Sequence, residues 1–187
     1  MEKRGYSIIE GMVRQSCDIP IIATDSHGGD DIYKEKTSNG FSRYMVSQIR
    51  LCVEPPKTTT QGSTRILKNK KGTYFIGKPV TSNARKTKLF LTHQLKDHAP
   101  SKPIEGAIDL YVEYNFSFNK TDSKAVKSQE KVPHIKRPDS DNLLKGLLDV
   151  MSNCKFWNDD SQISNLHFCK TKSADPCIKI LIYEIKA

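Results

Sequence analysis

Apolar and polar residues alternate most clearly between Ala107 and Phe116. A period of two over a short segment is typical of a half-buried strand, so the pattern predicts a strand here with its polar side toward solvent. The apolar side carries Ile108, Leu110, Val112, Tyr114 and Phe116, and the polar side carries Asp109, Tyr111, Glu113 and Asn115.

The same reasoning predicts elements on both sides of that strand. Pro55–Pro56 would end a strand over Ser47–Val53, and Lys68–Gly72 has the composition of a basic hairpin turn. Cys177–Ile185 is apolar at nearly every position, which is typical of a central strand. The other predicted elements are a return strand over Thr73–Ile76, a helix over Asn83–His98, a mobile polar loop over Ser117–Pro133 and a strand over Ser161–Lys170.

The order of these elements indicates an α+β fold, in which helices pack on one side of a mixed β-sheet. We expect this domain to occupy residues 47–187. Residues 1–46 carry weaker signals, namely a short helix at Ile8–Val13, a short strand at Asp18–Ala23 and turn residues at His27–Asp31. We interpret them as a partly flexible N-terminal extension to which the sequence assigns no role.

A second helix is predicted after Pro138, because Asp139 or Ser140 can cap it. At about 100° per residue, its aliphatic residues face one way and its charged residues the other. One interpretation of the charged face is a solvated stripe of i,i+4 salt bridges, each of which stabilises the helix by a few tenths of a kcal/mol. The aliphatic face carries Leu143, Leu144, Leu147, Leu148 and Met151, and the charged face carries Asp141, Lys145 and Asp149.

Carboxylates are concentrated at both ends of this helix. Asp139 and Asp141 stand two residues apart at its start, and Asp159–Asp160 follows its end after a short turn. Converging carboxylates repel one another unless a cation lies among them, and such oxygen ligands suit Mg²⁺ or Mn²⁺. The spacing therefore leaves a metal site and a solvated stripe open as alternatives.

Other kinds of site have less support. An EF-hand loop beginning at Asp139 fails, because Leu143 and Leu144 stand where an oxygen ligand and a glycine are required. The five histidines lie in no nucleophile motif, and we interpret His134 and His167 as surface or strand residues.

The net charge of the chain is confined to one segment. Residues 55–96 carry ten basic and no acidic residues, whereas residues 1–54 sum to −1 and residues 97–187 to zero. Charge spread for solubility would not leave a segment without a single carboxylate. A concentrated positive patch favours a polyanionic partner, because neutralised phosphates release counterions.

Cysteine usage and hydropathy restrict the cellular compartment that we expect for the protein. The five cysteines are odd in number and lack CxxC spacing, which argues against a disulfide scaffold and a structural zinc site and fits a reducing cytosol. No apolar run approaches the roughly 18 residues of a membrane span, and Met1–Arg14 lacks the apolar core of a secretory signal. We therefore expect a cytoplasmic protein without a membrane partner.

One composite motif resembles a known family. Arg137-Pro-Asp-Ser-Asp-Asn-Leu-Leu-Lys145, then Asp149, then Phe156-Trp-Asn-Asp-Asp-Ser-Gln-Ile163 resembles the signature of RusA-type Holliday junction resolvases, which are phage and prophage endodeoxyribonucleases of bacteria. Glu54-Pro-Pro-Lys-Thr-Thr-Thr-Gln61 and the basic hairpin after it also resemble members from phages of Gram-positive bacteria. The resemblance covers residues 47–187 and leaves out residues 1–46.

The resemblance implies a homodimer with a RusA-like fold that uses Mg²⁺, or Mn²⁺ in its place, to make paired nicks in four-way or branched DNA during recombination, repair or phage genome processing. It assigns metal binding to Asp139, Asp141 and Asp160, and an essential role to Lys145. Asp149 and Asp159 match the motif with less direct roles. If Ser161 begins a strand, Asp159 and Asp160 point to opposite faces and only one easily reaches the metal.

The chemistry agrees with these assignments. A carboxylate-bound metal activates water and stabilises the anionic phosphorus, and Lys145 can contact the scissile phosphate or the attacking water. Trp157 is interpreted as a core residue rather than a base-stacking one. The alternative function is a non-catalytic DNA-binding protein that keeps the fold and the basic patch. Contacts to the DNA backbone are expected from Lys57, Arg65, Lys68, Lys70, Lys71, Lys78, Arg85, Lys86, Lys88 and Arg137.

Overall fold

A computed structural model of the chain describes residues 34–36, 40–58, 65–77 and 81–186. The elements predicted at Ile8–Val13 and Asp18–Ala23 and the turn at His27–Asp31 lie outside those residues. The described residues fall into two compact units, the first within Met1–Pro55, Glu105–His134 and Ser161–Ala187, and the second within Pro56–Ile104 and Ile135–Asp160.

The first unit contains a six-stranded mixed sheet, which confirms the predicted α+β class and mixed sheet. Its strands are β1 (Lys34–Lys36), β2 (Ser42–Leu51), β5 (Ala107–Ser117), β6 (Lys131–Pro133), β7 (Ile163–Ser173) and β8 (Cys177–Lys186). They are ordered β1-β2-β8-β5-β7-β6. β5 runs parallel to β7, and the other neighbouring strands are antiparallel.

β8 lies between β2 and β5, as its apolar sequence predicts. Ile178, Ile180 and Ile182 on one side and Leu181 and Tyr183 on the other are all buried. Several strand boundaries differ from the prediction. β2 begins at Ser42, five residues early, because residues 42–45 already pair with β8, and β7 begins only at Ile163.

The prediction that β5 is half-buried is wrong, although its alternation is correct. Asp109, Glu113 and Asn115 on its polar side are only 1%, 0% and 3% exposed. They are buried because residues of other strands supply partners. The Lys131 ammonium lies 2.7 Å from Glu113 Oε1, and the amide of Asn115 donates to Ser173 Oγ at 2.6 Å.

The segment Ser117–Pro133 is also not the featureless mobile loop that its composition predicts. It contains a single helical turn, α2 (Lys124–Lys127), and the edge strand β6, which pairs with β7. Ser123 Oγ accepts a hydrogen bond from the amide of Val126 and thus caps the turn. The carboxylate of Asp122 accepts hydrogen bonds from the Asn119 amide and the Lys172 ammonium. The pKa of Asp122 is lowered, and the bond from Lys172 is the largest cause.

The second unit contains a hairpin and two longer helices. The hairpin consists of β3 (Arg65–Lys68) and β4 (Tyr74–Gly77), and the helices are α1 (Ser82–Leu95) and α3 (Ser140–Asn153). Thr81 Oγ1 caps α1 by accepting from the Ala84 amide at 3.1 Å. A 3₁₀ turn at Lys96–His98 follows α1, and a second one lies at Asp160–Gln162.

α1 and α3 contact each other within this unit. Leu91 and Leu95 of α1 and Leu147 and Met151 of α3 are at most 1% exposed. The burial of α3 follows its predicted aliphatic face, although Leu144 and Leu148 are only half-buried.

Two broader expectations can be compared with these elements. In the described part of the chain, no helix is both long and apolar enough to cross a membrane. Cys52, Cys154, Cys169 and Cys177 are thiols rather than disulfides, in line with the odd cysteine count.

Candidate active site

The candidate site lies along α3 and the segment after it, all within the second unit. Asp139 occupies the N-cap position of α3 with extended backbone angles, and its carbonyl oxygen accepts the first helical hydrogen bond from Leu143 at 3.1 Å. Its carboxylate makes no capping bond to the helix. An N-cap aspartate commonly uses its side chain for that bond, so the Asp139 carboxylate is left available to a ligand.

The charged face of α3 is exposed at its start and carries no salt-bridge stripe. Asp141 and Lys145 are exposed and Asp149 is half-buried. Among the described residues, none of the three takes part in an ion pair, although they stand at i,i+4 spacing. The i,i+4 salt bridges of the solvated-stripe alternative are therefore not present among these residues, whereas the exposure of Asp141 and Lys145 is expected from either alternative. Lys145 is a cation without an anionic partner in the described protein.

At its C-terminal end, α3 has an unusual residue in the left-handed backbone conformation. The amide of Lys155 donates to the Ser152 carbonyl at 3.1 Å and that of Phe156 to the Met151 carbonyl at 3.1 Å. These two bonds form a Schellman motif, in which the left-handed position is usually glycine. Here that position is Lys155, with φ of 66°. A side chain in this conformation is strained by about 1–2 kcal/mol, and such strain is often found where the side chain is used.

Two buried aromatic residues fix the segment that follows. Phe156 and Trp157 are fully buried, which confirms that Trp157 is a core residue. The indole N–H of Trp157 donates to Ser152 Oγ at 2.8 Å, and the carbonyl of Phe156 accepts from the Ile104 amide at 3.0 Å. These contacts hold the next residues, Asn158 to Asp160, against the end of α3.

A pocket of about 470 Å³ opens at this place. It brings three carboxylates together with two lysines, one of which, Lys88, comes from α1. The sequence predicts Lys88 as a contact to the DNA backbone but does not predict its place beside acidic residues. The pocket is lined by Lys88, Asp149, Ser152, Asn153, Lys155, Asn158, Asp159 and Asp160.

The structure groups only some of the predicted site residues. Asp149, Asp159 and Asp160 line the pocket, whereas Asp139, Asp141 and Lys145 do not. Within the described part of the chain, no three Asp, Glu, His or Cys side chains are close enough to hold a metal ion by themselves. Mg²⁺ does not require such a cage, since one or two carboxylates with waters and substrate phosphates commonly hold it.

One detail of the sequence prediction is wrong. Ser161 does not begin a strand, because Asp160–Gln162 forms a 3₁₀ turn and β7 starts at Ile163. The argument that Asp159 and Asp160 point to opposite faces of a strand therefore does not apply. Both residues line the pocket.

The predicted DNA contacts form an exposed set on the second unit. Arg65 and Lys68 lie on β3, while Lys70 and Lys71 occupy the hairpin turn. Lys78 lies outside the described residues. The remaining predicted contacts, Lys57, Arg85, Lys86, Lys88 and Arg137, are all exposed.

Known proteins are similar to this chain in sequence. A family model described as endodeoxyribonuclease RusA matches residues 55–183, a range that includes Asp139, Asp141, Lys145 and Asp160. The crossover junction endodeoxyribonuclease rusA of Lactococcus phage r1t is 31% identical over 129 residues, which cover 68% of this chain and 90% of the phage protein. The uncharacterized protein YqaN of Bacillus subtilis (strain 168) is 27% identical over 139 residues, which cover 70% of this chain and 97% of that protein.

Proposed function

The chain belongs to the RusA family of endodeoxyribonucleases, and from that premise we propose that it resolves Holliday junctions and other branched DNA by Mg²⁺-dependent cleavage of paired phosphodiester bonds. The proposal rests mainly on the exposure of the charged residues at the start of α3. Asp139, Asp141 and Lys145 are exposed there without ion-pair partners among the described residues. Side chains that contribute little to the fold in this way are available to a metal and a phosphate.

We assign Mg²⁺, or Mn²⁺ in its place, as the metal of this proposal. Asp139, Asp141 and Asp160 offer exposed carboxylate oxygens, which these hard cations prefer. When bound, the metal supplies a more acidic water and stabilises negative charge at phosphorus. The DNA phosphates would complete its ligands.

The protein's own residues then have distinct tasks. Lys145 would hold a non-bridging oxygen of the scissile phosphate, or the attacking water, with a fixed positive charge. Lys88, at the edge of the pocket with Asp149 and Asp160, would contact the neighbouring phosphate. Water adds to phosphorus and releases a proton to solvent, the bond to the 3′ oxygen breaks, and the 3′ oxygen takes a proton from solvent and leaves as a hydroxyl.

A homodimer completes the proposal. Resolving a four-way junction requires two cuts at symmetry-related points, and a two-fold dimer places two equal sites for them. Sedimentation equilibrium should give a mass twice that of the 21.2 kDa chain. We place the reaction in the bacterial cytoplasm, on DNA of a phage or prophage and its host, in recombination, repair or phage genome processing.

The rival function is a DNA-binding protein without turnover. A labelled synthetic four-way junction, incubated with the full chain in Mg²⁺ or in EDTA and analysed on a denaturing gel, separates the two. We expect paired nicks across the branch point in Mg²⁺ and none in EDTA, with a linear duplex of the same sequence left intact. Tight junction binding without nicks in Mg²⁺ or Mn²⁺ would identify the non-catalytic protein.

A further inference from the structure

The β3–β4 hairpin exposes an apolar surface that its role in contacting phosphates does not explain. Ile66 is 75% exposed, Tyr74 65% and Ile76 77%. Ile66 pairs directly with Ile76, and Lys68 pairs with Tyr74, so these side chains lie on one face of the hairpin. We call Ile66, Tyr74 and Ile76 the apolar hairpin face.

The opposite face of the hairpin differs. A Cβ placed on Gly77 would lie 2.8 Å from Leu67 Cδ1 and 3.2 Å from Phe75 Cε2, so those two side chains close over the glycine. Leu67 is half-buried, and Phe75 is less exposed than its neighbours at 49%. Within the part of the chain that the structure describes, the apolar hairpin face has no such cover, and a two-stranded hairpin gains little stability from a face left in water.

The hairpin is held in shape up to its tip. Asn69 Oδ1 accepts hydrogen bonds from the amides of Lys71 and Thr73, both at 2.9 Å. Gly72 adopts φ of 84°, which the turn requires, and its amide donates to the Asn69 carbonyl at 3.0 Å. A rigid tip presents the side chains of the two strands at fixed positions.

Charge decides which partner fits this face. The hairpin lies within residues 55–96, which carry ten basic and no acidic residues. A second copy docked on the same face would bring two such segments together, which like charges oppose. The Lys68 ammonium lies 5.3 Å from the centre of the Tyr74 ring, so a cation and an aromatic surface stand side by side. That combination binds nucleic acids when phosphates meet the cation and bases meet the ring.

We propose that the apolar hairpin face contacts the base faces exposed at the branch point of DNA, while Lys68, Lys70 and Lys71 hold the adjacent phosphates. This inference rests on the proposed function and deepens it, because it assigns the selection of branched over linear DNA to three uncharged side chains. Bases in a continuous duplex are stacked and offer no such face. Bases beside a branch point are partly unstacked and do.

The test compares junction and duplex affinity in EDTA, where no cleavage occurs. The double variant Tyr74→Ala with Ile76→Ala should weaken junction binding by about tenfold or more, taking the usual loss of a base–aromatic stack. Duplex affinity should change by less than about twofold, and the salt dependence of binding should not change, because no charge is removed. Tyr74→Phe should behave as wild type. Leu89→Ala, which removes a leucine of similar exposure (70%) on α1, is the matched control.

A fluorescent base provides an independent readout. 2-Aminopurine beside the branch point should change its emission when the wild-type protein binds and not when the double variant binds. The inference is overturned if the double variant keeps the junction preference, or if junction and duplex affinities fall equally. It is also overturned if the substitutions convert a dimer to a monomer in sedimentation, since the face would then be a protein interface.

These outcomes are distinct from failure of the proposed function. A wild-type protein that nicks junctions in Mg²⁺, together with a double variant of unchanged preference, leaves the endonuclease in place and removes only the hairpin contact. A wild-type protein that neither prefers nor nicks junctions removes both.

Discussion

Two groups of acidic residues in this chain have opposite environments. On β5 of the first unit, Asp109 and Glu113 are buried and paired with cations. Asp109 Oδ2 lies 2.5 Å from Arg43, and Glu113 lies 2.7 Å from Lys131 and 3.4 Å from Lys179. In the second unit, Asp139 and Asp141 are exposed and make no ion pair with another described residue.

The difference indicates how each group is used. A buried carboxylate costs several kcal/mol unless cations and hydrogen bonds replace water, so the acids of β5 have fixed partners and serve the fold. The Thr171 hydroxyl also donates to Glu113 Oε1 at 3.1 Å. Asp139 and Asp141 have no such partners among the described residues, so their carboxylates are accessible to a ligand. Sequence alone shows aspartates and glutamates in both places.

The largest expected effect breaks the site and leaves the fold intact. Asp139→Asn or Asp160→Asn should lower junction cleavage by about three orders of magnitude or more, or about 4 kcal/mol of barrier, because a metal ligand is lost. Both residues are exposed, so the melting temperature should stay within about a degree, as for surface substitutions generally. Junction binding should persist, since negative charge near DNA is reduced. Wild-type nicking by either variant would remove that residue from the metal site.

Lys145→Ala is expected to have the next largest effect. Cleavage should fall by about two to three orders of magnitude, as when one fixed donor to a developing anion is removed, with little change in melting temperature. Lys102→Ala, a change of the same type at another exposed position, is the control. Equal activity of the two variants would reduce Lys145 to a residue that balances charge.

A substitution on β5 should have the opposite result, because it should destabilise the fold and leave the candidate site unchanged. Glu113→Gln keeps the shape of the side chain but leaves Lys131 and Lys179 without their anion, and should lower the free energy of unfolding by about 3 to 5 kcal/mol. Urea denaturation measures this loss. A loss below about 1 kcal/mol would mean that the acid on β5 is not essential to the sheet, and the contrast between the two groups would fail.

Charge reversal at three lysines of the β3–β4 hairpin should have a smaller effect, confined to binding. Lys68→Glu, Lys70→Glu and Lys71→Glu together should weaken binding to junction and duplex alike. At about 0.9 per phosphate contact, the slope of log affinity against log salt should flatten by about 2 to 3 units. Cleavage at saturating protein and low salt should survive. The control reverses three exposed lysines outside the basic segment, Lys102, Lys120 and Lys124, and an equal change there would refute a localised DNA contact.

The smallest expected effect concerns the strained end of α3. Lys155→Gly relieves a side chain held at φ of 66° and should raise the free energy of unfolding by about 1 kcal/mol. It also removes a lysine from the pocket, so the Michaelis constant for junction DNA should rise. A variant that is more stable and equally active would show that the lysine is incidental.

The parts of the fold that sequence predicts are those set by local periodicity. α3 follows its aliphatic repeat, and β8 is central because it is apolar on both sides. The burial of Glu113 was missed because its partners, Lys131 and Lys179, come from other strands, and a polar face looks the same whether it meets water or lysines. The predicted loop failed because a capped turn and an edge strand are too short for periodicity to detect.

The residues of the candidate site also differ in whether local sequence predicts them. Spacing within local sequence predicted the charged face of α3, and the resemblance to the RusA family implied the roles of Asp139, Asp141 and Lys145. The place of Lys88 beside Asp149 and Asp160 depends on how α1 meets α3, which the sequence does not encode locally. Lys155 was missed because its helix end carries no glycine to mark the left-handed position. The predicted metal stays a prediction.

The central claim is that exposed acids perform the chemistry and buried acids maintain the fold. Single-turnover cleavage of a four-way junction in Mg²⁺, normalised to the folded fraction, tests it most directly when wild type, Asp139→Asn and Glu113→Gln are compared. The account predicts that Asp139→Asn is fully folded and does not cleave, while Glu113→Gln is destabilised but cleaves at the wild-type rate per folded molecule. Wild-type cleavage by Asp139→Asn, or an inactive but fully folded Glu113→Gln, would contradict it.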